Sequence, residues 1–482
     1  MRGSIKELGE TMDQKISKIA EEMSAIVGEE FVSTSIFERV KNALDPFPYD
    51  VTRDKIPYCV VLPKNKEEIS EILKFANKFK IPVFVRGSGT ILTGASRPHK
   101  PGIIINTRRL NQFWIYEDYG FFEAEAGVRC GDIASVLSEH GYFLPMWPGS
   151  RVIASIGGLA SNNTSGHVID ACIGKSADYI LGLEVVLPTG EILETGTKGL
   201  RKPAGTDLTK FFVGGDGLFG IITKIRMRLV PAKKTAYGIA VFDDLENLAK
   251  GVQRMYWEKR PPPLFMEFMA QDVAEIGFKV KGMDPPNGHI IFFVGIGDDE
   301  LEAQRKMEKV MEGFNKENPI EARPITDLDE WLKLWSAREV IASYLMSETG
   351  GRLIAAEVVS NLAQLVDCVK DAERFNQGLP ILSELHNYLF GHIGALTMHP
   401  TFLIPPDWPE DKRIQAVDEL FKKEAELNLK YQTCGGEWGQ FAKRTNFFIQ
   451  RYGNTAYDLV KRLKSVFDPN NILNPGILEG MR

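Results

Sequence analysis

Cysteine is scarce in this 482-residue sequence: Cys59, Cys130, Cys172, Cys368 and Cys434 are scattered, and no two form a CxxC pair. That spacing excludes a zinc ribbon and an iron-sulfur cluster held by this chain alone, and it predicts reduced thiols in a cytoplasmic protein. Long apolar runs are also missing. No stretch of about 18 apolar residues offers a membrane span, and the opening MRGSIKELGE lacks the apolar core of a signal peptide. The expectation is a cytoplasmic chain, at most peripheral to a membrane. There is no basic excess, the formal net charge being -6, so nucleic acid is not an expected partner, because neutralising phosphates takes clustered Lys and Arg. Low-complexity tracts and internal repeats are absent too, which removes disordered and solenoid architectures.

What remains is a globular composition, 44% hydrophobic and 25% charged, in a chain long enough for two or three domains with a cleft between them. Ile5, Leu8, Met12, Ile16, Ile19, Met23 and Ile26 recur at spacings of three and four. They predict an amphipathic helix that packs on the main body. From Tyr58 the pattern is strand (CVVL), a helix opened by Asn65 with Glu68 and carrying Ile69, Ile72, Leu73 and Ala76 on one face, then strand (IPVFVR). Further strands are read at GIIIN, FFEAEAG and LGLEVVLPTG. Beyond Pro231 the glycine-rich texture fades, and LFMEFMA and HIIFFVGIG alternate with charged helices such as ELEAQRKMEKVMEGF. A boundary is expected near 232.

Three glycine-rich elements stand out. RGSGTILTG (Arg86, Gly87, Ser88, Gly89, Thr90, Thr93, Gly94) follows a strand and offers backbone N-H groups to an anion. PGSRVIASIGGLASNNTSG lets the chain approach a ligand at Gly149, Gly157, Gly158 and Gly166, and its polar groups include Ser150, Asn162 and Ser165. VGGDGLFGIITKIRMRL pairs a glycine turn with a strand in which Ile221 or Ile222 can present main-chain groups to a planar base. Together they suit a long ligand with a pyrophosphate in its middle and aromatic rings at either end.

In their order, RGSGTILTG, PGS, IGGLASNNTSG, LGLEVVLPTGEIL and DLTKFFVGGDGLFGIIT resemble the flavin domain of the vanillyl-alcohol-oxidase type, and specifically the glycolate oxidase D-subunit and D-lactate dehydrogenase family. The resemblance implies an α+β fold: a two-subdomain FAD-binding domain (51–231) with an inserted α+β substrate, or cap, domain (232–434). A helical segment (1–50) precedes them, and a C-terminal segment (435–482) returns to the flavin domain. It implies non-covalent FAD, with Arg86 to Gly94 around the pyrophosphate, Pro148 to Gly166 along the ribityl and isoalloxazine parts, and Gly220, Ile221 and Ile222 near the adenine. The closing NILNPG, with Asn474, resembles the final flavin-side motif, although Ile477 stands where a lysine is usual.

By the same resemblance Arg338, in WLKLWSAREV, pairs with a substrate carboxylate, and Arg352 is a second cation candidate. In FGHIGALTMHP and GGEWGQ, the residues His392, His399 and Glu437 match the three ligands of a divalent metal (zinc, manganese or iron), and Arg338, His392 and Glu437 are the expected catalytic set. Two departures qualify this. Ala395, Leu396 and Thr397 replace Asp-Gly-Asn, and Trp438 replaces the histidine that accepts the hydroxyl proton, a task indole cannot perform. His386 or Lys443 is offered as a substitute base. The expected function is removal of a hydride from the alpha carbon of a small D-2-hydroxy acid, with electrons passed to an iron-sulfur protein, an electron-transferring flavoprotein or a quinone. A homo-oligomer or a complex subunit is expected. Two other readings stay open: oxidation of a phenolic or aromatic alcohol, and a flavin-bearing electron-transfer subunit.

Overall fold

Three sheets organise the chain in the computed structural model, which describes residues 11–164, 166–167, 174–199, 205–260, 262–350, 352–433, 435 and 444–479, apart from the side chains of 348 and 349. The first sheet has the spatial order Val32–Ser33, Cys59–Val61, Ile103–Asn106, Val83–Arg86. The strand, helix, strand unit expected from Tyr58 is present, with helix Lys66–Phe79 between Cys59–Val61 and Val83–Arg86. Those two strands are not neighbours, however. Ile103–Asn106 pairs in parallel with both of them, because a strand covered on both faces needs an unbroken apolar run, which IIIN supplies. Asn65 caps the helix by accepting from the Glu68 N-H at 2.9 Å, and Ile69, Ile72, Leu73 and Ala76 are fully buried.

Helix Met12–Val27 lays Ile16, Ile19, Met23 and Val27 into the same core, while Met12 stays 56% exposed. The N-terminal stripe therefore packs on the body of the protein. The second sheet is antiparallel, in the order Phe113–Tyr116, Phe121–Glu125, Ile221–Arg228, Ile180–Val186, Ile192–Glu194.

The third sheet begins at Lys234 and has eight strands. Its order is Glu321–Ile325, Lys234–Phe242, His289–Gly297, Phe265–Met269, Tyr388–Gly391, Thr397–Ile404, Arg352–Ala355, with Val358–Val359 also paired to Thr397–Ile404. Phe265–Met269 is central and buried throughout. Side chains alternate along a strand, so Met266 and Phe268 enter one core while Phe265 and Met269 enter another. Glu267 therefore lies on the Phe265 face, which is the aromatic one.

After the third sheet the chain returns to the first. Helix Thr445–Phe467 stacks Phe467 on Phe211. Residues 472–474 then run beside Val83–Arg86, with Val83 N donating to Ile472 O at 2.7 Å and Asn474 N donating to Val83 O at 2.8 Å. Lys464 fixes this return: its buried ammonium donates to Leu218 O (2.8 Å), Leu473 O (2.7 Å) and Asp468 Oδ2 (2.6 Å). Nearby, His99 packs against Gly476. Its Nε2 is buried with no hydrogen-bond partner among the described residues, and burial lowers its pKa to about 4.

Two outcomes follow. Asp468→Ala leaves a buried ammonium without its counter-ion and should cost about 3–5 kcal/mol, read as a lower midpoint in thermal unfolding of the flavin-loaded protein. His99 prefers the neutral form in the fold, so as pH drops from about 6.5 toward 4 the unfolded chain gains a proton that the native state refuses, and stability is lost on acidification. In denaturant titrations His99→Leu should remove part of that slope, of order 3 kcal/mol in total.

Candidate functional site

The loop that leaves strand Val83–Arg86 is shaped for an anion. Among the described residues, none accepts a hydrogen bond from the backbone N-H of Ser88, Gly89 or Thr90. Gly89 has φ +67°, and a Cβ there would lie 2.3 Å from the Arg86 guanidinium. Arg86 is itself held by the Asn42 carbonyl (3.0 Å), while Thr93 and Gly94 are buried. The Ser88 hydroxyl donates to the Ile153 carbonyl, which brings the second glycine-rich element alongside the first.

In that second element the N-H groups of Gly149 and Ser150 also lack an acceptor among the described residues, and Arg151 N closes a turn on Pro148 O at 2.9 Å. Ser155 then caps helix Ile156–Asn162 through the Gly158 N-H, and Gly157 sits where a Cβ would strike Ala126 at 2.6 Å. Gly166, at φ +79°, lies against the Trp147 backbone. Ser165 is outside the described residues. In the third element Gly220 abuts Val185, and Ile221 and Ile222 pair with Val186 and Val185. Asn474 accepts from Val85 N (3.2 Å) and donates to Gly217 O (2.9 Å), so its side chain fastens the first element to the third. Unspent N-H groups at closely approached glycines suit the pyrophosphate of FAD, since buried donors need acceptors.

The chemistry-bearing side chains meet on the aromatic face of the third sheet. Helix Leu328–Glu339 presents Trp331, Trp335 and Arg338, spaced four and three apart, as one buried stripe. Trp331 and Trp335 stack on each other, and Trp335 packs on Phe265. One turn on, Arg338 lies over Phe390 at 4.5 Å and donates from Nη2 to Glu267 Oε2 at 3.0 Å. Its Nε is buried with no hydrogen-bond partner among the described residues.

His392 follows strand Tyr388–Gly391, and its Nδ1 is in hydrogen-bond contact with Glu267 Oε1. His167 directly follows the second glycine-rich element, is positioned by its own N-H on the Trp147 carbonyl (2.9 Å), and places Nδ1 3.2 Å from Glu267 Oε2. The rings of His167 and His392 are 4.9 Å apart edge to face, and His399 stands 4.9 Å beyond His392. All five ionisable side chains of this group, Glu267, Arg338, His392, His167 and His399, are more than nine-tenths buried. Burial works to raise the Glu267 carboxyl, but His392 and His167 outweigh it and hold it below the usual range. Burial lowers His167 to about 4 and His399 well below 6.5.

The FAD-binding domain family matches residues 57–196, and the C-terminal domain family of FAD-linked oxidases matches residues 231–478. The chain belongs to the FAD-linked oxidases. Glycolate oxidase subunit GlcD of Bacillus subtilis is 30% identical to it over 89% of this chain and 91% of the relative. A D-lactate dehydrogenase of Archaeoglobus fulgidus is 29% identical over 87% and 90%. Among solved structures, p-cresol methylhydroxylase superposes with a TM-score of 0.78 over 96% of both chains at 17% identity. The 4-ethylphenol oxidase of Gulosibacter chungangensis gives 0.77 over 96% and 97% at 18% identity. These two show the fold, of the p-cresol methylhydroxylase type. This FAD-linked oxidase is an oxidoreductase, and FAD is its cofactor.

The structure joins Arg338 and His392 of the expected set and places His399 beside them. Glu437, Trp438 and Lys443 lie outside the described residues. Arg352 is engaged elsewhere, with Pro48 O (2.9 Å) and Asp50 (2.7 Å). His386 is an exposed partner of Asp272 at the start of the strand that ends beside His392, which removes it as a substitute base. The hairpin between the two histidines keeps its turn: Leu396 adopts φ +57°, the left-handed conformation that glycine supplies in the family pattern. Two members went unread in the sequence. Glu267 is the lone acid in the apolar run LFMEFM, which is a usable signal; His167, one residue past the second glycine-rich element, had none. Gly89→Ala should lower FAD occupancy sharply, measured as the ratio of flavin to protein absorbance after gel filtration.

Proposed function

We propose that this FAD-linked oxidase removes a hydride from the alpha carbon of a small D-2-hydroxy acid, lactate- or glycolate-like, and passes the electrons to a protein or quinone acceptor. The observation that carries the reading is Arg338: a guanidinium fixed by Glu267 through Nη2, whose buried Nε has no acceptor among the described residues. A carboxylate is the acceptor such a donor fits. The names of the relatives, a glycolate oxidase subunit and a D-lactate dehydrogenase, support the same substrate class.

The residues divide the work. Arg338 holds the substrate carboxylate and so orients the alpha carbon. Trp335, Phe265 and Phe390 form apolar walls about it, and a dry site strengthens the charge pairing. The Nδ1 of His399 faces the Ala356 carbonyl at 3.3 Å, which makes Nε2 its nitrogen toward the ion, and Lys443 is the proposed acceptor of the hydroxyl proton in place of Trp438. Bound FAD supplies the hydride acceptor. A divalent ion, zinc, manganese or iron, belongs to the reading as a Lewis acid toward the hydroxyl; the resemblance gives its donors as His392, His399 and Glu437.

The remaining assignments are proposals of the same kind. The flavin domain spans 51–231 and the cap 232–434, with 1–50 and 435–482 completing the former. The cofactor is lined by the three glycine-rich elements and Asn474. Buried, unpaired Cys59, Cys130 and Cys368 support a reducing, cytoplasmic setting. Among the described residues no helix is long and apolar enough to cross a membrane. An iron-sulfur protein or an electron-transferring flavoprotein is the proposed electron partner.

The test is anaerobic bleaching of the flavin band by a panel of D-2-hydroxy acids and hydroxybenzyl alcohols. Hydroxy acids should bleach it, and Arg338→Met should raise their KM by about a hundredfold or more. Bleaching by the phenolic compounds alone, or by neither class, refutes the hydroxy-acid reading.

A further inference from the structure

We propose that residues 42–50 form a strap that grips the cofactor loop at both ends from outside, and that Asp50, Arg352 and Arg413 are positioning residues which set FAD retention through it. The inference rests on the reading of Arg86 to Gly94 as the pyrophosphate loop and is independent of which substrate is oxidised.

The sequence of the strap dictates how it is held. In DPFPYD, Pro46 and Pro48 carry no N-H and keep the chain out of helix interiors and sheet ladders, and residues 44–50 belong to neither. Their carbonyl groups still need donors, and guanidinium groups supply them. Arg97, just past Gly94, donates to the Phe47 carbonyl at 2.9 Å and to the Tyr49 carbonyl at 2.6 Å. Arg86, at the other end of the loop, donates to the Asn42 carbonyl at 3.0 Å, and the Asn42 side chain accepts from Asn106 at 2.8 Å. Between these points Asp45, whose side chain is fully shielded from solvent, accepts from the Ser96 hydroxyl at 3.0 Å and lies 3.7 Å from Arg97.

The same stretch is anchored on its other side to the third sheet. Phe47 is buried in the core shared by that sheet and helix Glu410–Lys430, beside Phe421. Arg352, on the edge strand Arg352–Ala355, donates to the Pro48 carbonyl at 2.9 Å and to Asp50 Oδ1 at 2.7 Å. Arg413, from the helix, reaches Asp50 Oδ2 at 2.5 Å. Three successive carbonyls, of Phe47, Pro48 and Tyr49, are thus held alternately from the loop side, the sheet side and the loop side. The strap cannot shift against one anchor without straining the other, so a slackened Asp50 is felt at Ser96 and Arg97. The loop must aim several N-H groups at one anion, and a loop ordered in advance binds more tightly because less freedom is lost on binding.

Release of FAD tests this without substrate, followed as the rise of free-flavin fluorescence after the loaded protein is diluted. Asp50→Asn and Arg352→Gln break an exposed contact, the side chains being 45% and 38% accessible, and should release FAD about fivefold faster than the wild type. Asp50→Glu should recover most of that loss. Asp272→Asn, which breaks a similarly exposed pair with His386, should release FAD at the wild-type rate. Asp45→Asn acts at the loop end of the same strap, so the Asp45→Asn, Asp50→Asn double variant should release FAD no faster than the faster of the two single variants, whereas independent losses of stability would multiply. Multiplying rates overturn the proposal. Wild-type release from Asp50→Asn and Arg352→Gln does so as well, and needs no buried substitution to fold. Gly89→Ala separates the two readings: normal FAD binding there refutes the pyrophosphate loop and the strap with it, while weak binding there beside wild-type release from the strap variants refutes the strap alone.

Discussion

The site depends on one buried carboxylate. Glu267 is fully shielded from solvent in the middle strand of an eight-stranded sheet, where an unpaired charge is not tolerated. Its oxygens must be met by donors or cations, and the chain supplies these from three directions: Arg338 from a helix, His392 from a hairpin, His167 from the flavin side. The cost of leaving Glu267 unpaired thus brings Arg338, His392 and His167 to one point, and it ties the third sheet to the residue that follows the second glycine-rich element.

Around this point a second polar network holds the frame. Arg444 embraces Glu424 through Nε (2.6 Å) and Nη2 (2.9 Å). Glu424 also accepts the Glu357 N-H, and Asn428 accepts from Val359 N while donating to Glu357 O. The helix Glu410–Lys430 therefore offers side-chain amide and carboxylate groups where a neighbouring strand would offer backbone. Thr433 donates to the Val359 carbonyl on the near side of residues 436–443, and Arg444 follows on the far side. The near approach to Glu437 is thus fastened to strand Val358–Val359, which pairs with the His399 strand, and the far one to helix Glu410–Lys430.

Local pattern made much of this legible. The strands at CVV, IIIN and FMEFM, the cap on Asn65 and the apolar stripe of the first helix are decided by neighbouring residues, and the structure has them where periodicity put them. The insertion of Ile103–Asn106 between the two strands expected to pair was not legible, because strand order is a long-range property. Arg338, His392 and His399 were found through motif resemblance. Glu267 and His167 were not, since their role arises from a contact between residues 100 apart in sequence, and neither sits at a position where spacing carries meaning. His386 misled for the same reason: its distance along the chain from His392 is short, but the strand between them carries it to the surface.

The return of residues 472–474 to the edge of strand Val83–Arg86 bears on how the molecule is made. The glycine-rich loop that begins at Arg86 leaves a strand whose outer neighbour, among the described residues, comes from a segment some 390 residues later in synthesis. The nascent first sheet therefore waits with that edge bare while the strands of the third sheet, from Lys234 to Ile404, are translated. Closure of that edge is placed near the end of synthesis, whereas among the described residues the strands of the third sheet pair only with one another.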